Sequence, residues 1–161
     1  MQILLFRHAE RDSTHFHDSP LSSFGHQQAQ ALLRDVQSGI LPQPNRLWIS
    51  PKVRTAQTFL PLSQSYAIDA LVQDELDERR PQEGATQFRQ RIRHLTEQAS
   101  RQTGTLYLCT HLDWLDEAMS LIPFVDPNGQ ENLVAWLTGQ YIDFDVRDGL
   151  WTFVQAGRIL W

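Results

Sequence analysis

Three short apolar runs, each delivering a polar side chain at its end, constrain this chain more than any other feature. Ile3-Leu4-Leu5-Phe6 runs into Arg7-His8, and Leu106-Tyr107-Leu108-Cys109 runs into Thr110-His111. Leu47-Trp48-Ile49 ends on Ser50-Pro51 and is followed within one helical turn by Arg54. The first run is continuous rather than alternating, as in strands buried on both faces, and longer helical patterns separate the runs. That combination predicts a parallel sheet covered by helices. In such sheets ligands bind beyond the carboxyl ends of the strands. Two imidazoles and two guanidiniums therefore arrive at one sheet edge, an arrangement suited to a dianionic phosphoryl group.

The predicted order of elements is strand 2–7, a polar loop over 10–20, and a helix capped by Ser22 and ended near Gly39. A strand over 46–50 follows, then a helix opened by Pro51 with Val53, Ala56 and Leu60 as its buried stripe. A short strand is expected near 66–69, and the charged segment 73–83 reads as a loop over the site. Thr86 is the expected cap of a helix burying Phe88, Ile92, Leu95 and Ala99. A strand over 105–110 leads to a helix capped by Asp113 that carries Leu115, Ala118, Met119 and Ile122. Residues 123–132 read as a turn-rich connection, and 133–137 fits a helical turn or a strand equally. The tail predicts an antiparallel hairpin, 141–146 and 150–154, turning at Asp148-Gly149. No repeat or linker interrupts the chain, so residues 1–161 read as one domain.

The length of 161 residues is enough for a core without staples. Fourteen basic and nineteen acidic side chains leave a net charge of -5, which argues against a broad nucleic-acid or anionic-membrane surface. A phosphate site must then be a local basic pocket. Cys109 is the only cysteine, and in a strand-like run it reads as a buried thiol. Met1-Gln2-Ile3 enters the first strand without the charged and apolar regions of a signal peptide, and no run approaches the ~18 residues of a membrane span. A cytoplasmic protein is the expectation.

Four segments resemble, in order, the motifs of the histidine phosphatase superfamily. L-F-R-H-A-E at 5–10 is similar to its Arg-His-Gly motif, and S-P-L-S-S-F-G-H-Q-Q-A at 19–29 to its Pro-Leu-Thr-x-x-Gly-x-x-Gln-Ala segment. S-P-K-V-R-T-A-Q-T at 50–58 resembles Ser-Pro-x-x-Arg-x-x-Gln-Thr, and Thr110-His111 takes the place of the second histidine. The resemblance implies a three-layer α/β/α fold of the phosphoglycerate-mutase type with a mostly parallel central sheet. It also implies a phosphorylated substrate, no cofactor and no metal.

Carried over residue by residue, the resemblance makes His8 the nucleophile that becomes a phosphohistidine. Arg7, Arg54 and His111 would surround the equatorial phosphoryl oxygens, His111 donating as an imidazolium held by the phosphate. Glu78, in Leu76-Asp77-Glu78, matches the family's Leu-x-Glu general acid, although its spacing to Glu83-Gly84 is shorter than the family pattern. Glu75 is the rival, and a solvated acidic loop the alternative. Elsewhere His15 and His17 could pair on a metal but lack further ligands at recognisable spacing, so they read as solvated. His26 and His94 read as surface residues, and Trp114 as core or a wall of the site.

Three positions depart from the family pattern. Ala9 stands where glycine is usual, which requires a backbone that tolerates a Cβ. Thr55 stands where alanine is common, and Leu112 follows His111 where glycine is common. With the short length, these features resemble the phosphohistidine-phosphatase branch more than the mutases, whose insertions cover a sugar phosphate. The expected function is a metal-independent phosphatase acting on protein phosphohistidine or a small phosphorylated molecule. The alternatives are a phosphoester phosphatase that depends on Glu78, and an idle phosphate-binding or regulatory member of the fold.

Overall fold

The computed structural model describes residues 1–14, 17–127 and 136–159. Its elements are β1 (Gln2–Arg7), α1 (Ser23–Gln37), β2 (Arg46–Ile49), α2 (Val53–Tyr66) and β3 (Ala70–Val72). A 3-10 turn (Asp74–Leu76) precedes α3 (Ala85–Ser100), β4 (Thr105–Thr110), α4 (Leu112–Leu121), β5 (Phe124–Val125), β6 (Gln140–Arg147) and β7 (Leu150–Arg158). The seven strands form one sheet in the order β3-β2-β4-β1-β6-β7-β5. The first four run parallel, β6 is antiparallel to β1, β7 to β6, and β5 joins β7 in parallel.

The continuous apolar runs explain the layering. Along β1, Ile3 and Leu5 bury against α3 and α4, while Leu4 and Phe6 bury against α1 and α2. Successive strand side chains point to opposite faces, so a strand between two helix layers needs apolar residues at every position. Phe6 meets Phe59 edge-on at 5.4 Å and lies 4.9 Å from the Tyr107 ring. Phe59 on α2 and Tyr107 on the neighbouring β4 thus lock the central strand to the α1/α2 layer. The hairpin turn has Asp148 at φ 50° and Gly149 at φ 78°, the paired positive angles of a type I′ turn.

Several local expectations need correction. The third strand lies at 70–72 rather than 66–69, because α2 continues through Pro61 to Tyr66 and turns on Ala67 in the left-handed region. The buried side of α2 is Arg54, Thr55, Thr58, Phe59 and Leu62, while Leu60 is exposed. The helix is rotated from the apolar stripe because its polar residues are buried at the strand ends. Helix α3 is capped at Gly84, whose N–H the Gln87 side chain accepts at 3.2 Å, rather than at Thr86. His111, not Asp113, occupies the N-cap of α4; Asp113 sits in its first turn. Within 123–132, Phe124 and Val125 pair with β7. The expectations for 133–135 and for His15 fall outside the described residues.

Candidate active site

Three strand ends meet at the same level. Arg7 pairs across from Thr110, the His8 N–H donates to the Thr110 carbonyl at 3.1 Å, and the Ser50 N–H to the Cys109 carbonyl at 3.2 Å. This register carries His8, Ser50 and His111 together above the sheet, where the sequence placed a site. A cavity of about 330 Å³ opens there, lined by Arg7, His8, Arg11, Arg54, Glu78, His111, Leu112, Asp113 and Asp116. Arg7, His8, Arg54, His111 and Glu78 thus line one cavity. Glu75 is not among the lining residues; its carbonyl instead accepts from Trp114 Nε1 and Arg91.

The residues behind His8 explain the remaining motif positions. Thr58 Oγ1 accepts the Ala9 N–H at 3.0 Å, and Gln57 accepts the Leu21 N–H at 2.7 Å. Gln28, fully buried, accepts the Glu10 N–H at 2.8 Å and donates to the Thr138 carbonyl at 3.2 Å. Ser22 caps α1 by accepting the Gly25 N–H at 3.0 Å. Gly25 has no room for a Cβ, which would overlap the Glu10 carbonyl oxygen. Ala9 is buried against Leu21 and Ala29 without a positive φ, so its Cβ fits where the family uses glycine. Leu112 opens α4 and lines the cavity.

The two histidines are buried and differently wired. His8 Nδ1 lies 2.7 Å from the Ala9 carbonyl, which can only accept, so the ring proton sits on Nδ1 and Nε2 is free. Burial, with the nearby arginine charges, pushes His8 down to about 3, so it is unprotonated at neutral pH. The rings of His8 and His111 are 5.4 Å apart. His111 Nδ1 accepts from Arg54 Nη2 at 3.0 Å, and its Nε2 is 2.8 Å from Ser50 Oγ. Burial and the Arg54 charge push His111 down to about 2, so the ring is neutral here; the imidazolium expected from the sequence is that of a His111 holding phosphate. A phosphoryl dianion drawing Arg54 away from Nδ1 would reverse that balance.

Arg54 also pairs with Glu78 Oε2 at 3.1 Å, and Lys52 Nζ lies 3.7 Å from Glu78 Oε1. Arg7 donates through Nη1 to the Trp136 carbonyl at 2.5 Å. Its guanidinium is held below the usual arginine range by burial, with Asp116 opposing the shift. Arg7 Nε and Arg54 Nε are buried with no partner among the described residues. Buried N–H donors need acceptors, and an oxyanion in the cavity would supply them. The sequence reading missed Ser50, Lys52, Arg11 and Asp116; of these only Ser50 had a signal, its place at a strand end beside the arginine motif. No group of three or more potential metal ligands occurs among the described residues, and no helix there is long and apolar enough to cross a membrane.

The comparisons with known proteins give the family and the fold. A family model described as the histidine phosphatase superfamily (branch 1) matches residues 3–83. The protein histidine phosphatase SixA, solved with tungstate, is similar at a TM-score of 0.70 and 18% identity, over 98% of this chain and 97% of that one. The α-ribazole phosphatase of Shigella flexneri is similar at 0.76 and 16%, over 96% and 95%. A phosphoserine phosphatase from Entamoeba histolytica is similar at 0.70 and 12%, over 96% and 95%. No curated protein sequence matches the chain.

Proposed function

Because the chain belongs to the histidine phosphatase superfamily, we propose that it is a metal-independent phosphatase working through a phosphohistidine on His8. The observation that carries the reading is the wiring of His8. Its Nδ1–H is tied to the Ala9 carbonyl and its ring kept neutral, which leaves the Nε2 lone pair for attack.

In the first step Nε2 bonds to phosphorus as the bond to the leaving oxygen breaks. Arg7, Arg54 and a protonated His111 hold the equatorial oxygens, where phosphoryl transfer concentrates charge. Glu78, protonated once Arg54 turns from it to the phosphoryl oxygens, supplies the proton that the leaving oxygen takes. In the second step water attacks phosphorus, the Glu78 carboxylate takes a proton from it, and the phosphorus–nitrogen bond breaks. Inorganic phosphate leaves and His8 returns neutral.

A phosphohistidine substrate fits the same machinery, because an imidazole leaving group can be protonated by water. The likeness to the protein histidine phosphatase SixA supports that class, and the likeness to two phosphomonoester phosphatases supports small substrates beside it. The test is a panel of phosphoramidates and alkyl phosphoesters, with and without EDTA, on the wild type and on His8→Ala. His8-dependent, EDTA-insensitive phosphate release is expected. Binding of phosphate with no release from any donor would contradict the reading.

A further inference from the structure

Arg91, on α3 and outside the cavity, has all five of its N–H donors in use on one short segment. Nε and Nη2 grip Glu83 at 2.8 and 2.7 Å. Nη1 donates to the carbonyls of Glu75 and Asp77, both at 2.8 Å, and Nη2 to that of Glu78 at 3.2 Å. The side chain is 10% exposed, as is that of Glu83, and its guanidinium lies 5.0 Å over the Phe88 ring. No other side chain type offers five donors in a rigid planar fork; lysine has three on a flexible stem.

The segment so gripped is the one that carries Glu78 into the cavity. The carbonyl that Arg91 skips, Leu76, accepts from Thr110 Oγ1 at 2.6 Å, next to His111. Trp114 Nε1 adds a second bond to the Glu75 carbonyl, and Asp113 accepts the Arg79 N–H at 2.7 Å. Four successive carbonyls, 75 to 78, are therefore fixed from α3, β4 and α4. Such a segment, largely without helix or strand bonds of its own, owes its shape to these side chains.

We propose that Arg91 is a positioning residue for the proton-transfer step: by clamping the 75–78 backbone it sets the reach of the Glu78 carboxyl over the leaving group. This rests on the reading of Glu78 as general acid. Displacing a catalytic group by about 1 Å can cost about a hundredfold, so the clamp acts on rate although Arg91 touches no substrate.

The experiment compares Arg91→Met, Arg91→Lys and Glu78→Gln on two donors, β-glycerophosphate, whose alkoxide needs a proton, and phosphoimidazole, whose leaving group does not. Arg93→Met, on the exposed side of the same helix, is the control for lost charge. Arg91→Met is expected to lower kcat on β-glycerophosphate on the order of tenfold or more and on phosphoimidazole by less than about threefold, with KM little changed. Arg91→Lys, which keeps the charge beside Glu83, should show the same selectivity to a smaller degree and decides the matter if Arg91→Met does not fold. Equal loss on both donors, or none, in the Arg91 variants while Glu78→Gln is selective would overturn the clamp alone. A Glu78→Gln variant with no selectivity would overturn the acid, and the clamp with it.

Discussion

Ser50 Oγ lies 2.8 Å from His111 Nε2, and Arg54, on the other ring nitrogen, settles which of the two carries the proton. Arg54 can only donate, so Nδ1 must accept from it, and Nε2–H must point to Ser50. Ser50 is anchored in turn by Thr55, whose Oγ1 is 3.1 Å away and bonds the Ser50 carbonyl at 2.9 Å. Thr55, a departure from the family's alanine, thus belongs to the support of the site. Protonation on phosphate binding then falls on Nδ1, beside Arg54.

Ser50→Ala should leave that tautomer, which Arg54 sets, and remove the partner of Nε2–H. We expect turnover to fall about tenfold, the scale of one lost hydrogen bond of about 1–1.5 kcal/mol, with ¹⁵N spectra of His111 still showing the proton on Nε2. Unchanged turnover would show that Ser50 does not orient the ring.

Glu78→Gln should separate substrate classes. Losing a general acid typically costs about 10²–10⁴-fold where the leaving group needs a proton, and little where it does not. Turnover of alkyl phosphoesters should collapse while that of phosphoramidates falls by less than about tenfold. Glu75→Gln, which alters no cavity-lining group, should leave both alone. Equal losses on the two classes in Glu78→Gln would make Glu78 a partner of Arg54 rather than a proton donor.

Gly25→Ala tests the packing of the motif at 19–29. The added methyl meets the backbone carbonyl of Glu10, which cannot give way without moving the segment that follows His8. A loss of about 1–3 kcal/mol in chemical denaturation is expected, together with reduced turnover. Wild-type stability would mean that the approach of α1 to Glu10 is looser than described.

Asp143 gives a pH signature in stability. It is buried on β6 with one oxygen unpartnered among the described residues, and burial, opposed by a hydrogen bond from Gln155, pushes it up to about 6. A carboxyl raised above its ordinary range destabilises the fold when ionised, so the cost is full above about pH 6 and absent below about pH 4. Asp143→Asn should therefore stabilise the protein by up to about 3 kcal/mol at pH 8 and by nearly nothing at pH 4. Stabilisation equal at both pH values would contradict a titrating Asp143.

The strands that build the site were legible because a strand buried on both faces writes a continuous apolar run, as Ile3–Phe6 and Leu106–Cys109 do. The histidines and arginines followed from where those runs end. Helix α2 was misread because its inward side holds Arg54, Thr55 and Thr58, polar residues buried by the site itself, so hydrophobic periodicity pointed to Leu60. The cap of α4 was assigned to Asp113 from residue preference, whereas the strand end places His111 there. Arg91 left no signal at all, since three of its five bonds go to backbone carbonyls and two to Glu83, partners brought near only by the fold.

The most direct test of the central claim is rapid mixing with a labelled phosphoryl donor, quenching by denaturation and mapping of the label. The account predicts an acid-labile, base-stable phosphoryl group on His8 that forms and decays at rates matching turnover and is absent from His8→Ala. Turnover with no adduct on His8, or undiminished turnover in His8→Ala, would contradict it.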